Sequence, residues 1–220
     1  MIITHSKHNL NIAVDSNVSR IGLKISGGAD SAIVGYILSK YIAEERPDAI
    51  IVPITVDQEG KAFQIMFAKR IIEYYKTVFG DIFAEHETGY SPIPESENYI
   101  TAQETLIDRL YKTKQIQFHF SGITLNPPND ALPKHIYDQG WVEPSDRPRT
   151  GILKPVYQDN RCLPLINFDK KDVAELYDYF GVRDTLFPLT RSCEKYTDDF
   201  SAHCDNCWFC AERKWGFGRL

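Results

Sequence analysis

The chain has 220 residues, 43% of them hydrophobic, and a formal net charge of −5. That is enough apolar material for a packed core, which excludes disorder, and too acidic a balance for a nucleic-acid binder working through a broad basic surface. No run nears the ~20 apolar residues of a membrane span, and the opening residues lack the apolar core of a signal peptide, so a cytoplasmic protein is expected.

In chain order, residues 21–25 read as a strand that turns through Ser26-Gly27-Gly28 into a helix over 30–45. A β-branched run at 49–56 gives a second strand, stopping at Asp57-Gln58-Glu59-Gly60. Apolar spacing predicts a helix over 61–78, a third strand opening at 82–84, and a helix over 97–114 with Ile100, Leu106, Ile107 and Leu110 inward. Residues 115–120 alternate like a strand and break at Ser121-Gly122. A proline-rich stretch over 127–155 reads as an ordered excursion across the ligand edge, and helical spacing resumes over 170–180, ending at Gly181. Strand and helix alternate, so the expected fold is α/β, a doubly wound and mostly parallel sheet. It divides into an α/β domain over 1–185 and a small cysteine-bearing module over 186–220, packed on that domain.

The turn at 26–31 carries the first chemistry. A strand that passes through glycines into a helix presents backbone N–H groups and the positive end of the helix to an anion. No lysine follows the glycines as a Walker loop requires, and Gly27 and Gly28 are adjacent rather than spaced as in a dinucleotide fingerprint. What remains is a cradle: Ser26, Ser31 and the local amides for a pyrophosphate, Gly27 and Gly28 for its close approach, and Asp30 as a partner for Mg²⁺.

The second feature is a cluster of thiols. Cys193, Cys204, Cys207 and Cys210 crowd into one short stretch, which in a reducing compartment points to a metal rather than to disulfides. Four thiolates suit a tetrahedral Zn²⁺, although an iron–sulfur cluster uses the same spacing. His203 reads as neighbouring scaffold and Cys162 as a small buried hydrophobe.

Ser26-Gly27-Gly28-Ala29-Asp30-Ser31 resembles the signature of the PP-loop ATP pyrophosphatases, which cleave ATP between the α and β phosphates. Further motifs are Leu163-Pro164-Leu165, the helix led by Lys170, Leu189-Thr190-Arg191-Ser192-Cys193, and a C-x-x-C-x-x-C-x-x-R tail ending at Arg213. With these the chain resembles the 7-cyano-7-deazaguanine synthases over most of its length. Where that family reads Asp-Tyr-Gly-Gln-Arg-His after the second strand, this chain reads Asp57-Gln58-Glu59-Gly60-Lys61-Ala62. Where the family has Tyr-Pro-Asp-Cys-Arg after Ser-Gly, this chain has Ile123-Thr124-Leu125-Asn126-Pro127.

The resemblance implies an ATP-dependent carbon–nitrogen ligase. Its cofactors would be ATP, Mg²⁺ and Zn²⁺, and its substrates a small-molecule deazapurine carboxylate and ammonia. It implies Asp30 and Lys170 as catalytic residues, Ser26, Gly27, Gly28, Asp30 and Ser31 as the nucleotide cradle, and Asp57, Lys61, Ser121 and Gly122 around the acceptor. Arg147, Arg149, Tyr137 and Trp141 of the excursion add further polar and stacking candidates. Two rival readings stay open: a relative that adenylates another carboxylate or a nucleobase, including one in nucleic acid, and a non-catalytic nucleotide-binding zinc protein. A homodimer is left open too, whereas no membrane partner is expected.

Overall fold

A computed structural model describes the chain except for residues 5–8, 60–62, 93–95, 141–143, 145–146 and 149–153. Two short strands, β1 (Ile2–Ile3) and β2 (Leu10–Asn11), form a separate antiparallel pair. The main sheet then unfolds as β3 (Arg20–Lys24), α1 (Ala29–Glu45), β4 (Ile50–Gln58), α2 (Gln64–Phe79), β5 (Glu87–Ser91), α3 (Ser96–Lys112) and β6 (Phe118–Phe120). After it come a short helix α4 (Lys134–Asp138), a hairpin of β7 (Tyr157–Gln158) and β8 (Arg161–Cys162), α5 (Lys170–Tyr179) and α6 (Trp208–Phe217).

The sheet order is β5-β4-β3-β6-β8-β7, parallel except for β7 against β8. The chain therefore runs outward from β3 through β4 to β5, then returns to the other side of β3 for β6. Such a reversal opens a crevice at the carboxyl ends of β3 and β6, the place where doubly wound sheets take their ligands. The expected fold class is the one observed.

Two apolar layers hold the sheet. On one face Ile21, Leu23, Phe120 and Cys162 share a single core with α1, α2 and α5. Helix α1 lies between the other two and is buried almost all round, from Ala32 and Ile33 to Tyr41 and Ile42. On the opposite face Val52, Ile54 and Val56 of β4 pack against Leu106, Ile107 and Leu110 of α3. Cys162 is fully buried, and burial pushes its thiol up to about 12, as befits a core residue.

Three local expectations change. Residues 82–84 make only an isolated bridge between Phe83 and Ile51, and the regular ladder restarts at β5. That strand reads Glu-Thr-Gly-Tyr-Ser, an edge sequence without apolar alternation, so periodicity does not reveal it. The strand expected over 115–120 shortens to β6, because the amides of Gln115 and Ile116 bond back to the Leu110 carbonyl and close α3 instead. Ile100, expected inward, is exposed. Among the described residues no helix is long and apolar enough to cross a membrane.

The carboxyl-terminal stretch joins the same core. Phe217 of α6 stacks on Phe187 at 4.1 Å, and both meet Tyr177 of α5 edge-on. At Gly216 a Cβ would lie 2.3 Å from Lys170 Cγ, so α6 reaches α5 only because that position lacks a side chain. The described part of the 127–155 excursion packs on this tail, through Leu132 and Ile136 against Trp208 and Ala211.

Candidate active site

The glycine turn sits at the mouth of the crevice. Gly28 is the N-cap of α1 in an extended conformation, and no side chain caps the first helical turn. Its leading N–H groups therefore face outward at the positive end of the helix. The Ser31 hydroxyl donates to the Gly28 carbonyl at 3.1 Å and accepts from the Ser26 amide at 3.2 Å, with the Ser26 hydroxyl 3.3 Å away. Both serines thus edge one small cradle.

The three glycines here do different jobs. Gly27 has φ +79°, and a Cβ on it would lie 2.5 Å from Phe67 Cβ, so α2 forbids a side chain. At Gly122 a Cβ would lie 2.7 Å from the Ser31 nitrogen, so the exit of β6 can lean on α1 only as glycine. Gly28 is different: the nearest atoms to its Cβ position are 3.5 Å and 3.7 Å away, and nothing in the protein requires it to be bare. The nearer of those two atoms is the Ser26 hydroxyl oxygen of the cradle.

Other groups fix the turn from below. The Tyr177 hydroxyl donates to the Ala29 carbonyl at 2.8 Å, and the Arg191 amide donates to the Gly27 carbonyl at 2.9 Å. The Arg191 guanidinium, 2% exposed, donates to the carbonyls of Cys193, Lys195, Phe200 and Ala202 at 2.6–2.9 Å. One residue thereby links the glycine turn to the cysteine loop. In the sequence Arg191 stands only as a letter of a motif; its bracing role depends on backbone positions that composition does not reveal.

Asp30 and Lys170 meet. Lys170 opens α5 behind a capping box, in which the Asp169 carboxylate accepts from the Lys171 and Asp172 amides while Asp172 accepts from the Asp169 amide. Its amine contacts Asp30 Oδ1 at 2.6 Å and approaches Glu212 Oε2 at 3.6 Å. Glu212, 2% exposed on α6, also receives the Arg147 guanidinium in a two-pronged contact, with Nη1 at 3.1 Å from Oε2. Burial alone would raise the Glu212 carboxyl, but Lys170 and Arg147 outweigh it and hold it below its ordinary value. The result is a row of alternating charge, Asp30, Lys170, Glu212, Arg147, whose two inner members are buried. Removing one member of such a row costs about 3–5 kcal/mol, because it strands the others.

The four cysteines also come together. Their sulfurs lie within 4.8 Å of one another, with Cys204 and Cys210 at 3.9 Å. Backbone amides of Cys204 and Asn206 point at the sulfurs of Cys193 and Cys204 at 3.3 and 3.4 Å. Hydrogen bonds from Cys207 and Cys210 hold the Cys193 thiol far below its ordinary value, while those two are pushed up. Four thiolates this close need a cation to share their charge. Together the four could hold a metal ion. His203 stays outside the group of four.

The acceptor candidates are spread more widely. The Asp57 carboxylate accepts from the Ile65 amide at 3.1 Å and so anchors the start of α2; burial, partly offset by that bond, raises its pKa. Ser121 ends β6 inside the crevice, its amide bonded to the Cys162 carbonyl, with Gly122 beside it. Tyr137, an exposed residue, packs edge-on against Trp208. Lys61, Trp141 and Arg149 lie outside the described residues. A groove of about 700 Å³ opens on the sheet face that α3 covers only in part, with Lys24, Tyr111, His119, Ile123, Arg147 and Arg161 in its lining. Ile123 and Arg147 bring its inner end beside Ser121 and the charge row.

No known protein family and no characterised protein matches the sequence. Among solved structures the chain is similar to the U34-tRNA thiolase NcsA from Methanococcus maripaludis, solved with its 4Fe-4S cluster, at 15% identity and a TM-score of 0.48. The match covers 83% of this chain and 62% of that one, so this chain spans less than two thirds of the neighbour's length.

Proposed function

We propose that this chain is an ATP-dependent ligase of the PP-loop type that adenylates a small-molecule carboxylate and transfers it to ammonia. The observation that carries this reading is Gly28: a glycine that the fold does not need, at the uncapped start of α1, between two hydroxyls and one carboxylate. An anion with several oxygens is the ligand that such a turn suits.

Ser26, Ser31 and the amides at 27–31 would hold the β and γ phosphates, which become the leaving pyrophosphate. Asp30 would hold Mg²⁺, which supplies charge neutralisation at the phosphates. The acceptor carboxylate attacks the α-phosphorus in line, pyrophosphate departs, and an acyl-adenylate forms. Ammonia adds to its carbonyl carbon and AMP leaves, giving the amide. With 7-carboxy-7-deazaguanine as acceptor, the amide oxygen then attacks the α-phosphorus of a second ATP, releasing pyrophosphate and a proton, and loss of AMP and a second proton gives the nitrile. The protein's share is positioning and electrostatics. The groove ending at Ile123 and Arg147 is the entry for the acceptor, and its mixed charges suit a small polar molecule better than the continuous basic track a nucleic acid needs.

Cys193, Cys204, Cys207 and Cys210 would hold one Zn²⁺ in a structural role, since all four positions are thiolates and none is left for a water. The test is incubation with ATP, Mg²⁺, ammonia and carboxydeazaguanine, read by mass spectrometry. AMP, pyrophosphate and a nitrile are expected. ADP and phosphate, or no turnover with this acceptor, would refute the chemistry or the substrate respectively.

A further inference from the structure

Among the described residues Lys170 has two acidic neighbours, and they differ in kind. Asp30 is 21% exposed at the crevice, whereas Glu212 is 2% exposed and already tied to Arg147. The stem of the lysine packs closely on α6: a Cβ on Gly216 would lie 2.3 Å from its Cγ and 2.7 Å from its Cβ. Beyond that contact the amine has Glu212 at 3.6 Å on the inner side. A divalent cation arriving at Asp30 would find that carboxylate covered by the lysine, and two cations cannot share it without strong repulsion.

We infer that Lys170 is a displaceable internal counter-ion, which neutralises Asp30 in the nucleotide-free protein and is handed to Glu212 when a metal–nucleotide complex binds. Glu212 is then a positioning residue. It touches no substrate, but it receives the lysine and keeps the amine at the rim of the cradle, facing the phosphates. The inference rests on the reading of the glycine turn as a nucleotide site. It adds a reason why a buried carboxylate on the cysteine-bearing helix is joined to that turn.

Two measurements test it. Binding of Mn²⁺ alone, followed by electron paramagnetic resonance, should be at least about tenfold tighter in Lys170→Met than in the parent, because the competing charge is gone. Affinity for a magnesium complex of a nonhydrolysable ATP analogue, by calorimetry, should fall about tenfold in Glu212→Gln and recover in Glu212→Asp. Unchanged or weaker Mn²⁺ binding in Lys170→Met would overturn the counter-ion role. Parent-like analogue binding in Glu212→Gln would overturn the hand-over. If the parent binds no analogue, the nucleotide reading fails while the Mn²⁺ comparison still decides the lysine. Lys170→Gln, which keeps a donor toward both carboxylates while removing the charge, gives the same Mn²⁺ comparison if Lys170→Met does not fold, and tighter Mn²⁺ binding is expected there too.

Discussion

At the scale of single residues, the informative contrast is between glycines that the fold requires and one that it does not. Gly122→Ala should lower stability by about 1–3 kcal/mol, since its methyl would press on the backbone of Ser31 and Asp30 and neither can retreat without moving α1. Thermal melting checks this, and a parent-like midpoint would mean that the two segments are less tightly joined than the geometry says. The cradle was legible in the sequence because all its parts lie within six residues of one another. Glu212 was not: its partner Arg147 is 65 positions away, and a glutamate beside a cysteine motif reads as an ordinary surface acid. Arg213 gave a similar problem. It lies 3.7 Å above the Phe187 ring and donates to the Phe187 carbonyl, a packing role that no spacing rule signals.

At the scale of elements, strands with apolar alternation and helices with a clear stripe could be read directly, whereas β5 could not, because an edge strand with a polar sequence has no period to detect. The tail could be read as four cysteines able to hold a metal, packed on the main domain, but the sequence did not reveal that the helix it packs against is α5. Helix α6 begins at the cysteine cage, buries Trp208 at once, and sends Phe217 into the main core. Stripping the metal, or Cys207→Ser, should therefore loosen the tail: Trp208 would become wet and its fluorescence would shift to the red. Elemental analysis should find one zinc per chain. Iron with a visible absorption band would contradict the assignment, and a chelated protein with unchanged fluorescence would contradict the structural role.

For the whole molecule, mild acid should weaken the fold through buried histidines. Burial depresses His86 and His119 to about 4, from about 6.5 in an unfolded chain. Between these values the unfolded state binds protons that the folded state refuses, so stability is full above about 6.5 and falls as pH drops toward 4. His119→Asn, which keeps a donor for the Tyr111 hydroxyl, should flatten part of that slope in melting curves. A slope equal to the parent's would remove His119 from the titration. One comparison tests most directly whether the turn at the sheet's reversal captures the phosphates of ATP. Magnesium–ATP is titrated calorimetrically into the parent and into Gly28→Ala, with melting temperatures taken on both. The methyl meets nothing closer than 3.5 Å in the protein, so the variant should melt with the parent. Its methyl would stand where a phosphate must approach, so it should bind ATP at least about tenfold more weakly. Equal binding by the two proteins, or no binding by the parent, would contradict phosphate capture at this turn.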